Sequence, residues 1–80
     1  MRIDKYLKLS RIIKRRTVAN EACDAGRVKV NGRSVRASYD VKIGDKVEIS
    51  FGNRTVMFEV TAVEEVIKKE DAGRLYRIIE

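Results

Sequence analysis

Arg2, Lys5 and Lys8 recur at intervals of three residues, and Lys14-Arg15-Arg16 follow as an unbroken basic run. Such groups bind phosphate, lysine as a point charge and arginine with two N–H groups on two oxygens. With Arg11, Arg27, Lys29, Arg33 and Arg36 they make eleven bases in the first thirty-six residues, against three acids, Asp4, Glu21 and Asp24. That stretch carries a formal +8, whereas the seven bases and nine acids of residues 37–80 give −2, together the chain's +6. A merely soluble surface needs no such segregation of sign. It marks a protein that binds a polyanion, most often nucleic acid.

Other chemistry has few seats here. Histidine is absent, and with it the commonest general base and zinc ligand. The single cysteine, Cys23, cannot build a structural thiolate site; it reads as a small core residue of a protein from a reducing compartment. No GxxxxGK[ST] loop is present to cradle a nucleotide. We therefore expect no catalysis, no metal and no cofactor. Asp4 has two readings: a first-turn acid suited to the helix dipole and to Lys8 four residues on, or the acid that orients a nearby arginine. Arg33 and Arg36 read equally as solvated hairpin charges or as part of the basic surface. Tyr6 falls at a core phase, and Tyr39, in a loop, is a weak candidate for base stacking.

These side chains need a scaffold. Ile3, Tyr6, Leu7, Leu9, Ile12 and Ile13 are spaced by threes and fours, which predicts a helix over 3–13. Thr17 suits an N-cap, with Val18, Ala19, Ala22 and Cys23 as the buried stripe of a second helix over 17–25. Gly26 stands where a helix ends on a left-handed residue. From Val28 the period becomes two, and Asn31-Gly32 is a strong hairpin signal. Turns at Gly44-Asp45 and Gly52-Asn53 bracket the alternation of Val47, Ile49 and Phe51, which Val56, Phe58 and Val60 continue. The charged stretch 64–73 has room for a helical turn around 67–72, and 75–79 reads as a closing strand. Helices followed by strands give an α+β domain: two helices packed on a small, mainly antiparallel sheet of four to five strands.

Eighty residues make a single domain. The chain opens on a charged amphipathic segment rather than a signal peptide, and no run approaches the roughly 20 apolar residues of a membrane span. We expect a cytoplasmic protein with no membrane partner.

Arg2-Ile3-Asp4-Lys5-Tyr6-Leu7 resembles the opening signature of the S4 RNA-binding domain. The second-helix start at 17–22, the stretch from Gly26 to Gly32, and Gly44-Asp45 match further segments of that family in order. Together they cover about residues 2–51, with 52–80 completing the sheet. The basic Ile12-to-Thr17 stretch and the ending from Lys68 to Tyr76 resemble the stand-alone RqcP-like group more than the related heat-shock S4 proteins, which carry a long basic C-terminal extension.

The resemblance implies a non-catalytic factor of ribosome-associated quality control. It would bind rRNA of the large ribosomal subunit and peptidyl-tRNA, holding the tRNA while the partner RqcH adds an alanine tail to the stalled chain. The RNA-binding residues would be Arg2, Lys5, Lys8, Arg11, Lys14, Arg15, Arg16, Arg27 and Lys29, with Asp4 as a possible orienting acid and a monomer as the working unit. Alternatives are a heat-shock-type factor that recycles aborted subunits, and a module whose basic half docks an acidic protein.

Overall fold

Ile3, Tyr6, Leu7 and Ser10 lie on one side of the first helix, and that side is fully buried. In the computed structural model, which describes residues 1–65 and 67–79, this helix, α1, spans Ile3–Leu9 and stops four residues before the sequence pattern does. The Ser10 hydroxyl donates back to the Leu7 carbonyl at 3.1 Å, and Arg11 adopts the left-handed conformation with φ 63°. The Ile13 N–H then returns to the same Leu7 carbonyl at 3.2 Å. Ile13 thus enters the core from a turn. Spacing alone cannot separate that arrangement from a continuing helix.

Helix α2 spans Arg16–Asp24, and its N-cap is Arg15 in extended backbone rather than Thr17. No side chain caps it, so Thr17 lies exposed inside the first turn. Val18, expected in the buried stripe, is 47% exposed; Ala19 and Cys23 form that stripe, with Ala22 half-buried beside them. At the other end Gly26 takes φ 76°, its N–H bonds the Cys23 carbonyl, and the Arg27 N–H bonds that of Ala22. This pair of bonds is the Schellman closure that glycine makes cheap.

Five antiparallel strands follow: β1 Val28–Val30, β2 Arg33–Ser34, β3 Lys46–Phe51, β4 Arg54–Val60 and β5 Tyr76–Ile78. Their spatial order is β2-β1-β3-β4-β5. Asn31 and Gly32 both have positive φ (52° and 86°), which sets Val30 opposite Arg33 through a tight turn. A 3-10 helix over Lys69–Leu75 supplies the helical turn expected near 67–72; Val66, inside that charged stretch, lies outside the described residues. The expectation of an α+β domain with helices on an antiparallel sheet holds.

Successive strand residues point to opposite faces, so one sheet face carries Val28, Val30, Val47, Ile49, Phe58 and Val60, all buried. Tyr6 of α1 reaches this layer, stacks on Phe58 with ring centroids 6.3 Å apart, and donates its hydroxyl to the Leu75 carbonyl at 2.6 Å. Burial, with a lesser push from Tyr76, drives the Tyr6 phenol well above its ordinary pKa, and it stays neutral. The N-terminus is fastened too. The Ile3 N–H bonds the Tyr39 carbonyl at 2.7 Å, and the Met1 ammonium pairs with Asp40 at 2.6 Å.

Candidate nucleic-acid interface

Asp4 stands in the first turn of α1 with its side chain only 3% exposed, and α2 closes over it. Its carboxylate is held from four directions. Arg2 donates twice, from Nε at 3.2 Å and Nη2 at 3.1 Å; the Lys5 backbone N–H donates at 2.7 Å; Asn20 donates from Nδ2 at 3.3 Å. Arg16 brings its Nη2 to 3.4 Å. Burial pushes the carboxyl upward, yet the bonds from Arg2, Asn20, Arg16 and Lys5 outweigh it and hold Asp4 below the usual carboxylate range.

The consequence is a pair of arginines with their stems anchored and their heads presented. Arg2 and Arg16 side chains are each 49% exposed. Their two positive charges face a single buried negative one, so the outward field stays positive. Each guanidinium has five N–H donors, and Asp4 uses only part of them. The remainder can grip phosphate oxygens with little further loss of side-chain freedom. Of the two readings of Asp4, the geometry shows the contact with arginine, and Lys8 is not its ion-pair partner among the described residues. Asn20 joins this cluster. Its place four residues after Arg16 on the same helix face was the available signal.

The other basic residues do not all gather here. Arg15, the α2 N-cap, is exposed next to Arg16. Lys5 pairs with Glu65 of the segment that precedes the 3-10 helix. Lys8, Arg11 and Lys14 surround the C-terminal end of α1. Arg27 follows α2, a helix length of roughly 13 Å from Arg16. Lys29 is the exposed residue between buried Val28 and Val30, and its cross-strand neighbour is Glu48. The pleat therefore turns Lys29 to the sheet face away from the helices. The sequence predicts one continuous surface; the fold sets Arg2, Arg15 and Arg16 by the starts of the two helices, Lys8, Arg11 and Lys14 at the far end of α1, and Lys29 on the other sheet face.

Arg33 and Arg36 are exposed, beyond the β1–β2 turn. The Tyr39 hydroxyl donates to Asp45 at 2.9 Å, with the residue part-exposed; Tyr6 is wholly covered and cannot stack on a base. Asn31 serves the turn and more: its side chain accepts from the Lys46 N–H at 3.1 Å and donates to Asp45 at 3.2 Å.

The model of the S4 domain matches residues 1–47, which include both helices, Asp4 and its arginines. A protein of Streptococcus pneumoniae named RQC P-site tRNA stabilizing factor is 56% identical to this chain, over 99% of it and 90% of the relative. This chain belongs to the S4 domain family, among the RQC P-site tRNA stabilizing factors. The member from Bacillus subtilis is 47% identical over 99% of this chain and 92% of its own length. The S4 fold itself is shared with the trimeric structure of Vibrio cholerae Heat Shock Protein 15. That structure superposes with a TM-score of 0.90 at 26% identity, covering 99% of this chain and 81% of that one. The S4 match ends at Lys46-Val47, so most of β3, all of β4 and β5, and the 3-10 helix belong to the part shared with the full-length relatives.

Proposed function

We propose that this protein is a non-catalytic RNA-binding factor of ribosome-associated quality control that stabilises P-site tRNA on the large ribosomal subunit. The observation that carries the reading is Asp4, buried between Arg2 and Arg16 and anchoring their half-exposed guanidinium groups at the starts of α1 and α2. The names of the relatives and the S4 match support it. Folded RNA hides its base edges in a deep groove, so a protein reads it through phosphates, 2′-hydroxyls and shape. Arg2, Arg15 and Arg16, with Lys5 beside them on α1, form the main binding surface. In this reading the protein works in the cytoplasm as a monomer, on rRNA and peptidyl-tRNA, while RqcH extends the stalled chain with alanine.

Two measurements test it. If six phosphates are engaged, the logarithm of subunit affinity falls against that of salt with a slope of about −4 to −5, and a slope near zero refutes phosphate binding. Deleting the gene abolishes alanine tails on stalled chains. Tails that persist, with aborted subunits accumulating, favour instead the heat-shock-type recycling role, for which the likeness to Heat Shock Protein 15 speaks.

A further inference from the structure

Outside the Asp4 cluster a further concentration of cations lies at the opposite end of α1. A cleft of about 390 Å³ opens there between the end of α1 and the segment that leads into the 3-10 helix. Lys8, Arg11 and Lys14 form one wall and Lys68 and Lys69 the other. Leu9 and Ile67 make its apolar floor. No acid lines it.

That absence is built, not inherited from composition. The segment 64–74 has four acids against three bases. Three of those acids are turned elsewhere: Glu65 to Lys5, and Glu64 and Asp71 to Arg74 at 3.5 Å and 3.9 Å. Its two lysines face the cleft. Among the described residues none of the five cations has an ion-pair partner, so like charges converge on one hollow with nothing to offset their repulsion. Arg11, on the rim, also holds a left-handed backbone (φ 63°) that a non-glycine residue adopts only against steric cost. Strain of this kind collects where a side chain is held for a ligand.

We propose that this cleft is a second RNA site that seats a phosphodiester segment between its two lysine-bearing walls, the sugar lying over Leu9 and Ile67. The inference rests on the RNA-binding reading above and goes beyond it. Lys68 and Lys69 lie outside the S4 match, so the site is added to the family's helical surface by the C-terminal segment. The seven residues of α1 lie between Arg2 and Arg11 and rise roughly 10 Å, enough to separate two backbone contacts.

The test compares the intact protein, Lys68→Ala/Lys69→Ala, Arg11→Gly and Arg2→Ala in salt titrations of binding to purified large ribosomal subunits, with and without P-site tRNA. Lys42→Ala/Lys46→Ala, which removes the same charge from elsewhere, is the control. Lys68→Ala/Lys69→Ala should bind on the order of tenfold more weakly, with a salt slope shallower by about 1 to 2. Arg11→Gly should lose about 1 from the slope while its melting temperature holds or rises, because glycine suits that backbone. A change seen only with tRNA present assigns the seated backbone to tRNA; a change in both assigns it to rRNA. An unchanged slope, or an equal loss in the Lys42/Lys46 control, overturns the cleft as a phosphate site while Arg2→Ala still reports on the main surface. Absence of subunit binding by the intact protein overturns the parent reading instead.

Discussion

The Asp4 carboxylate lies 3.4 Å from the Arg16 guanidinium across the joint between α1 and α2. One contact therefore both fastens two helices and aims a cation at solvent. An arginine at an unsupported helix start would sample many rotamers and lose that freedom on binding. Here folding has already removed it.

Asp4→Asn keeps the shape of the side chain and removes its charge. We expect a loss of about 1–3 kcal/mol in urea denaturation, below the value for fully buried ion pairs because both arginines are half-exposed and rehydrate. Subunit affinity should fall with it, since Arg2 and Arg16 lose their anchor. The pH dependence gives a second readout. The folded-state pKa is lowered, so the contribution is complete above the unfolded value near about 3.9 and disappears as pH drops through the folded one. The variant should lack that part of the acid limb; matching acid limbs in the two proteins would contradict the role assigned to Asp4.

Tyr6→Phe tests the fastening of the C-terminal segment. The hydroxyl donates at 2.6 Å to the carbonyl of buried Leu75, which also accepts from the Thr61 N–H at 3.0 Å. Removing it leaves the stack on Phe58 and takes away one donor. We expect about 1–2 kcal/mol of destabilisation. Amide exchange should quicken in β5 and in the 3-10 helix more than in the β1–β2 hairpin, and uniform quickening would deny the local role.

Much of the fold was legible because backbone sterics are local. Gly26 and Asn31-Gly32 announce left-handed residues by type alone, and the alternation from Val47 to Val60 marks an inward face. What escaped depends on distant partners. Val18 has the hydropathy of a core residue, yet it is left half-exposed; Thr17 has the chemistry of a cap, yet the helix begins one residue earlier. The burial of Asp4 comes from Arg16 and Asn20, twelve and sixteen positions later, and no short-range pattern reports it. Lys29 is the opposite case. With Val28 and Val30 facing inward, the period of two already placed it on the far side of the sheet.

Asn31 carries two duties that substitution can separate. Asn31→Gly keeps the left-handed backbone and loses the side-chain bonds to Lys46 and Asp45. Asn31→Ala loses both. We expect roughly 0.5–1.5 kcal/mol for glycine and about 1 kcal/mol more for alanine, the difference measuring positive φ in a residue with a Cβ. Equal losses in thermal denaturation would show that backbone strain is not at issue.

Cys23 lies on the buried stripe of α2, 4% exposed. Burial first, then the charges of Asp4 and Asp24, push its thiol up to about 11. At pH 8 the thiolate fraction is roughly one in a thousand, against about a quarter for an ordinary cysteine. Alkylation by iodoacetamide should run at least about a hundredfold slower in the native protein than in denaturant, where the normal rate returns. Fast native labelling would mean that α2 lifts from the sheet.

Lys29 and Arg16 carry the same charge on opposite sides of the molecule, so their substitutions separate a shaped interface from diffuse attraction. Neither is part of the core. Lys29→Ala should keep stability within about 0.5 kcal/mol, whereas Arg16→Ala, which takes one partner from buried Asp4, should cost about 1 kcal/mol and leave the protein folded. If RNA is held at the helix end, Arg16→Ala loses affinity and flattens the salt slope by about 1, whereas Lys29→Ala changes only the long-range term. That term is screened beyond a Debye length of about 8 Å at physiological salt, so the Lys29 effect should vanish there and persist only in dilute buffer. Equal losses for the two variants at physiological salt would mean that net charge, not the Asp4-anchored pair, holds the RNA.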